Sequence, residues 1–354
     1  MAMGNPVQKF LSVSNKLLKR YLPETVHQKL EYYVTFILNS EFRINCIRYK
    51  KYGKLNKDKI FYVLRADAPR WGILTTYIWF IKSMEWAIHQ GYIPVVDLKN
   101  YYMDMVQDEE KMYKENAWDY YFVQPFPEYT LESVYKSRHV ILGWKNGTFP
   151  HDKDWTHELP TDEEMRSLHP VVKNYMNFKP QIWERAKNFL QDNVRDGKKV
   201  LAICMRASFL RGELLKQSLY KDHPKQKSLH EWLEIVSQLK DEWDCDYVFV
   251  SVEDREWSDA FRDRFGEQCL ILERQLLHFF RNGEPVPNEE TEYFVQELKN
   301  ISIKKKTEDY LTEVCIVSMC SCLTAQSGSV PMIAMLHNGG KYEHTRVFSD
   351  GFIQ

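Results

Sequence analysis

The chain has 354 residues, with 48 Lys and Arg against 49 Asp and Glu, for a formal net charge of −1. That length exceeds what one hydrophobic core usually serves, so two domains are expected. The balanced charge, with no basic block, argues against a nucleic-acid partner. Seven cysteines without paired spacing argue against a disulfide framework and a structural zinc site. Cys315, Cys320 and Cys322 read as buried free thiols, which suits a cytoplasmic setting. No stretch reaches the roughly 20 apolar residues of a membrane span, and no signal-peptide pattern opens the chain.

Taken in chain order, the first 50 residues carry the pattern of a helical segment. Val7, Phe10, Leu11, Leu17, Leu18 and Tyr21 share one face, and Lys9, Lys16, Lys19 and Arg20 flank it. Such a helix packs on its own domain or makes a peripheral membrane contact. A strand at Ile60–Leu64, a helix from about Leu74 to His89 and a strand at Tyr92–Asp97 make a βαβ unit. Its first loop brings Asp67, Arg70 and Gly72 to the strand ends where ligands of open α/β sheets bind, and Asp97 follows the second strand.

The stretch 101–129, which contains Trp118 and Tyr121, is an aromatic insertion without period. Aromatics make up 14% of the chain and suit the stacking of sugar rings. After a turn-rich segment, a helix from Lys179 to Asn193 precedes a second βαβ series. This runs as a strand at Val200–Met205, a loop through Tyr220, a helix at Ser228–Glu242 and a strand at Tyr247–Ser251.

The strand Val200–Met205 runs straight into Arg206, whose guanidinium fork suits a phosphate. Glu253 and Asp254 follow the next strand. They are placed either to accept hydrogen bonds from a ligand or, for Asp254, to cap the helix that begins near Trp257. Near the C-terminus an amphipathic helix at 307–321 is followed by Cys322-Leu-Thr-Ala-Gln326, and Ser327-Gly328-Ser329 stands at this third strand end. Hydroxyls and free N–H groups at a helix start there make an anion site or a plain cap.

In order and spacing, Cys204-Met-Arg206, His223-Pro224, Glu253-Asp254 and Ser327-Gly-Ser329 resemble the GDP-fucose-dependent fucosyltransferase superfamily, in particular its α1,6-fucosyltransferase and Nod-factor branch. The resemblance spans roughly Ile60 to Leu336. It implies an α/β fold of two Rossmann-like domains facing a cleft, the GT-B type. An acceptor-side domain would occupy residues 51–190 and a nucleotide-sugar domain residues 191–354. It also implies inversion at the anomeric carbon, no cofactor or metal, a nucleotide-sugar donor and an oligosaccharide or polysaccharide acceptor. The chain departs from the family pattern where Cys204 stands for a histidine, Ala207 for a second arginine and Phe209 for an acid. Either Arg211 replaces the missing fork from the loop, or the donor is a different nucleotide sugar.

On this reading the donor meets Arg206, Arg211, His223, Glu253, Asp254, Ser327, Gly328 and Ser329. The acceptor meets Arg70, Gly72, Trp118 and Tyr121, and Asp67, Asp97 and Glu213 are candidate bases. The alternative is a protein of the same fold that binds a nucleotide sugar or glycan without turnover. The absence of G-x-G-x-x-G after any strand argues against a dinucleotide dehydrogenase.

Overall fold

The computed structural model describes residues 48–66, 72–99, 109–111, 114–143, 161–217, 223–287 and 302–353. The expected N-terminal helix, Asp67 and Arg70 lie outside them.

The first sheet contains β1 (Arg48–Lys50), β2 (Leu55–Arg65), β3 (Ile93–Asp97) and β4 (Ser137–Leu142), in the order β1-β4-β2-β3. Strand β2 runs parallel to both β3 and β4, while β1 pairs antiparallel at the edge. The expected βαβ unit is present, with helix α1 (Ile73–His89) crossing from β2 to β3. Its buried residues include Leu74, Tyr77, Phe80, Ile81 and Met84, which recur at helical spacing. Two single-turn helices, α2 (Trp118–Tyr121) and α3 (Leu131–Val134), lie between β3 and β4.

Helices α4 (Asp162–Tyr175) and α5 (Pro180–Asn193) lead to the second sheet. Thr161 and Glu164 form a capping box that starts α4, and Pro180 sits in the first turn of α5, where its missing N–H costs nothing.

The second half runs β5 (Val200–Cys204), α6 (Ala207–Leu214), α7 (Leu229–Glu242), β6 (Tyr247–Ser251), α8 (Arg255–Phe265) and β7 (Cys269–Leu270). A small hairpin, β8 (Phe280–Arg281) and β9 (Glu284–Pro285), follows. The chain then continues through α9 (Ile303–Met319), β10 (Cys322–Gln326), α10 (Ser329–Asn338) and β11 (His344–Phe348). Helix α6 occupies part of the expected loop through Tyr220. Its residues Ala207, Ser208, Arg211 and Gly212 are buried, and its own N-cap residue, Arg206, makes no side-chain cap, so the usual local start signal is missing.

All pairings in the five-stranded sheet are parallel, in the order β11-β10-β5-β6-β7. Counted within this half, that is the doubly wound order, and it reverses between β5 and β10. Alternate residues of β5 serve opposite faces. Val200, Ala202 and Cys204 join one apolar cluster, and Leu201, Ile203 and Met205 join another. The first cluster is continuous across both halves. It takes in Tyr62 and Leu64 of β2, α1, α4 and α5, and the α9–α10 layer. Helix α5 packs along α9, and α4 packs on both α1 and α10.

Candidate functional site

Ligands of doubly wound sheets sit outside the carboxyl ends of the strands, at the reversal point. At that place the chain puts Arg206 after β5, Glu253 after β6 and Ser327-Gly328-Ser329 after β10. The sequence-expected donor residues Arg206, Glu253 and Ser327 to Ser329 are therefore brought to one edge by parallel pairing alone.

Arg206 is held on three sides. Its Nε pairs with Glu253 Oε1 at 3.3 Å, and its guanidinium donates to the Tyr310 hydroxyl at 3.2 Å. The guanidinium Cζ lies 4.9 Å from the Phe209 ring centroid, where the ring face attracts a cation. The side chain remains 44% exposed, so the fork can reach a ligand. Glu253 Oε1 also accepts from Ser208 N at 3.0 Å and Ser208 Oγ at 2.6 Å, which gives the start of α6 an acidic cap.

Helix α10 differs. Its N-cap is Gly328 with no side-chain cap, and a Cβ there would meet nothing within 4 Å. Of the two helix starts flanking the reversal point, α6 already has an acid, whereas α10 has no cap from its N-cap residue, and its first turn carries N–H groups on Ser329 and Val330 but none on Pro331.

Other expected donor residues are placed elsewhere. Asp254 is fully buried as the N-cap of α8. It accepts from Trp257 N at 3.0 Å, Phe279 N at 2.7 Å and Phe280 N at 3.2 Å. Burial outweighs these bonds and pushes its carboxyl up to about 6. Its position corrects the ligand reading in favour of the cap, because both oxygens are committed to backbone. Arg211 is 3% exposed and donates to the Val286 carbonyl at 2.8 Å beside the Phe279 ring. It faces inward from α6 and does not replace the missing fork. His223 stacks edge-on to Phe209 at 4.7 Å, one contact behind Arg206. Glu213 pairs with Lys225 at 3.6 Å in the last turn of α6, about 9 Å along the helix from its start at a 1.5 Å rise per residue.

Asp97 ends β3 in the first sheet. It accepts from Tyr135 Oη at 2.6 Å and Lys99 N at 3.0 Å, with Arg65 facing it across the β2–β3 register. Burial, followed by the Asp97 charge, holds the Tyr135 phenol well above its ordinary pKa, so it stays a donor. Gly72 is the N-cap of α1 with open space at its Cβ position, so no close backbone approach explains it.

Trp118 and Tyr121 overturn the platform expectation. Both are 0% exposed, and Trp118 stacks on Phe122 at 4.2 Å beneath α1. Their faces are spent on core packing and not on a sugar. Tyr135, Tyr310, Arg274 and Glu313 are polar partners of the two strand edges that carry no motif. Only the three-residue spacing of Tyr310 and Glu313 on one helix face was legible.

Among the described residues, no group of three or more His, Cys, Asp or Glu is placed to hold a metal ion. The tripeptide Asp244-Cys-Asp246 lies before β6, at the amino edge opposite Arg206, where Asp246 pairs with Lys198 at 2.7 Å. Its twin Asp152-Lys-Asp154 lies outside the described residues. A cavity of about 430 Å³ also opens at that amino edge, between Trp183, His337, Asn338, Lys341 and Glu343, away from the strand-end group. No described helix is long and apolar enough to cross a membrane.

No family model matches the chain, and no curated protein does. Solved structures similar to it include fucosyltransferases. NodZ alpha-1,6-fucosyltransferase soaked with GDP-fucose shares 11% identity over 78% of this chain and 92% of its own, with a TM-score of 0.43. Fucosyltransferase NodZ from Bradyrhizobium has the same identity and coverage and a TM-score of 0.41. POFUT1 in complex with GDP-fucose shares 11% identity over 82% of this chain and 74% of its own, with a TM-score of 0.37.

Proposed function

We propose that the chain is an inverting, metal-independent glycosyltransferase of GT-B type that moves fucose from GDP-fucose to a hydroxyl of an oligosaccharide or polysaccharide. One observation carries the reading. Arg206, Glu253 and the uncapped start of α10 converge at the reversal point of a doubly wound sheet. The sugar identity rests on the motif resemblance. The division into an acceptor-side half at 51–190 and a donor-side half at 191–354 belongs to the same reading.

Departure of a nucleoside diphosphate builds negative charge on its phosphates. The Arg206 fork and the α10 N–H groups are positioned to meet that charge, and such donors each contribute on the order of 3 kcal/mol to lowering a barrier. The acceptor hydroxyl must lose its proton to a carboxylate. Asp97 retains acceptor capacity beyond its two hydrogen bonds and is the candidate at a strand end, Asp67 is a second, and Glu213, paired with Lys225 in the last turn of α6, is a third.

A thermal-shift panel of GDP-, UDP-, CDP- and ADP-sugars tests the reading. GDP-fucose should raise the melting temperature most, since a ligand that binds only the native state stabilises it by RT ln(1 + [L]/Kd). A panel in which no nucleotide sugar stabilises the protein rejects it. Stabilisation without transfer to any glycan selects the binding-only alternative. Transfer should survive EDTA, and strict dependence on Mg²⁺ or Mn²⁺ would exclude the electrostatic mechanism.

A further inference from the structure

A second guanidinium lies behind Arg206. Arg274, in the segment after β7, donates to Glu313 through Nε at 2.6 Å and through a terminal nitrogen at 3.2 Å. The same terminal nitrogen donates to the Val252 carbonyl at 2.9 Å. Glu313, on α9, is 1% exposed and also accepts from Ser251 Oγ at 2.9 Å. The loop carrying Arg274 is fixed by Leu277, whose N–H donates to the Glu253 carbonyl and whose carbonyl accepts from Arg255 N, both at 2.8 Å. This ion pair therefore ties together the end of β6, the segment after β7 and α9.

The polar groups that hold Arg206 hang on that tie. Glu253 lies two residues beyond Ser251, and Tyr310 lies three residues before Glu313 on the same face of α9. A buried ion pair adds little stability over a well-packed apolar pair of the same volume, so stability alone does not account for this one.

We propose that Arg274 and Glu313, with Tyr310, are positioning residues that lock β6 to α9 and thereby fix the Arg206 guanidinium for an anionic phosphate ligand. The proposal rests on the reading of Arg206 as a donor-phosphate ligand. Its test separates the two, because it watches Arg206 directly.

Two variants serve: Tyr310→Phe, which removes one hydroxyl, and the paired Arg274→Met with Glu313→Leu, which replaces the ion pair by apolar groups. The Arg206 Nε–H resonance, assigned by its loss in Arg206→Lys, is followed by NMR, and the Kd for inorganic pyrophosphate is measured alongside. In both variants the resonance should leave its native position toward that of a freely exchanging arginine, further in the paired variant than in Tyr310→Phe, and Kd should rise, by about tenfold in the paired variant. Melting should stay near that of the unmodified chain. A folded variant that keeps the native resonance and native affinity overturns the proposal. Loss of folding in the paired variant also overturns it, because that assigns the pair to stability. If the unmodified chain binds no pyrophosphate, the donor reading fails while the resonance still decides the positioning role.

Discussion

Arg206 shows how one residue's role depends on what surrounds it. The side chain has a carboxylate on one edge, a phenol on another and a ring on its face, and still keeps 44% of its surface open. Lysine at this position keeps the charge but has no planar fork, so Arg206→Lys should lose bidentate contact with a diphosphate. Isothermal titration should show GDP binding weakened about tenfold, with little change in melting. Equal affinity in Arg206→Lys and the unmodified chain would remove the residue from the site. Phe209 stands where the resembling family has an acid, and here it is the ring under the guanidinium.

At the scale of elements, two of the expected acceptor contacts belong to the core. Trp118 and Tyr121 sit on a single-turn helix that is too short to be stable alone and is held by packing against Tyr77, Phe80 and Phe122. Trp118→Ala should therefore cost about 3–5 kcal/mol of stability, read as a lower urea midpoint, with no selective loss of acceptor use in protein that remains folded. The end of α10 makes a second demand. Gly339 has φ +67°, and a Cβ there would lie 2.5 Å from the His169 ring, whose Nδ1 bonds the Leu336 carbonyl. Gly339→Ala meets both the left-handed conformation and the clash, so it should destabilise by at least about 1 kcal/mol in the same measurement.

For the whole molecule, the contact between the two halves carries a pH signature. The Tyr77 hydroxyl on α1 gives its one proton to the Met176 carbonyl at 2.6 Å, so His337 Nε2 on α10 is the donor to it at 2.9 Å. Burial, reinforced by the neighbouring His169, pushes the His337 pKa down to about 3. The folded pKa lies below the unfolded value of about 6.5, so the unfolded chain takes up the proton first as pH falls, and stability is lost between about pH 6.5 and 3. By pH 5 the loss from this group reaches up to about 2 kcal/mol at 1.36 kcal/mol per unit. Urea unfolding of His337→Phe, compared with the unmodified chain at pH 8 and pH 5, should show a pH dependence smaller by that amount. Identical pH dependence would mean that the histidine charges without disturbing the seam.

The sequence determined the elements whose signals are local. The βαβ unit of α1 is legible from apolar runs and helical spacing, and α7 from Ser228 and Glu231 in a capping box. Strand β6 is legible from the continuous apolar run that a strand buried on both faces requires. It also determined that Arg206, Glu253 and Ser327 to Ser329 follow strands. That is enough to place them at one edge once the strands are parallel, because parallel strands present all their carboxyl ends on the same side.

What each side chain does there was decided only by tertiary structure. Asp254 and Glu253 are neighbours in sequence, yet alternation along an extended segment turns one into a buried cap and leaves the other beside Arg206. Arg211 and Arg274 are alike in composition and differ in what lies opposite, a carbonyl for one and a buried carboxylate for the other. Trp118 is an ordinary aromatic until α1 covers it. These outcomes depend on groups tens of residues apart in the chain meeting in space, and no local pattern records that.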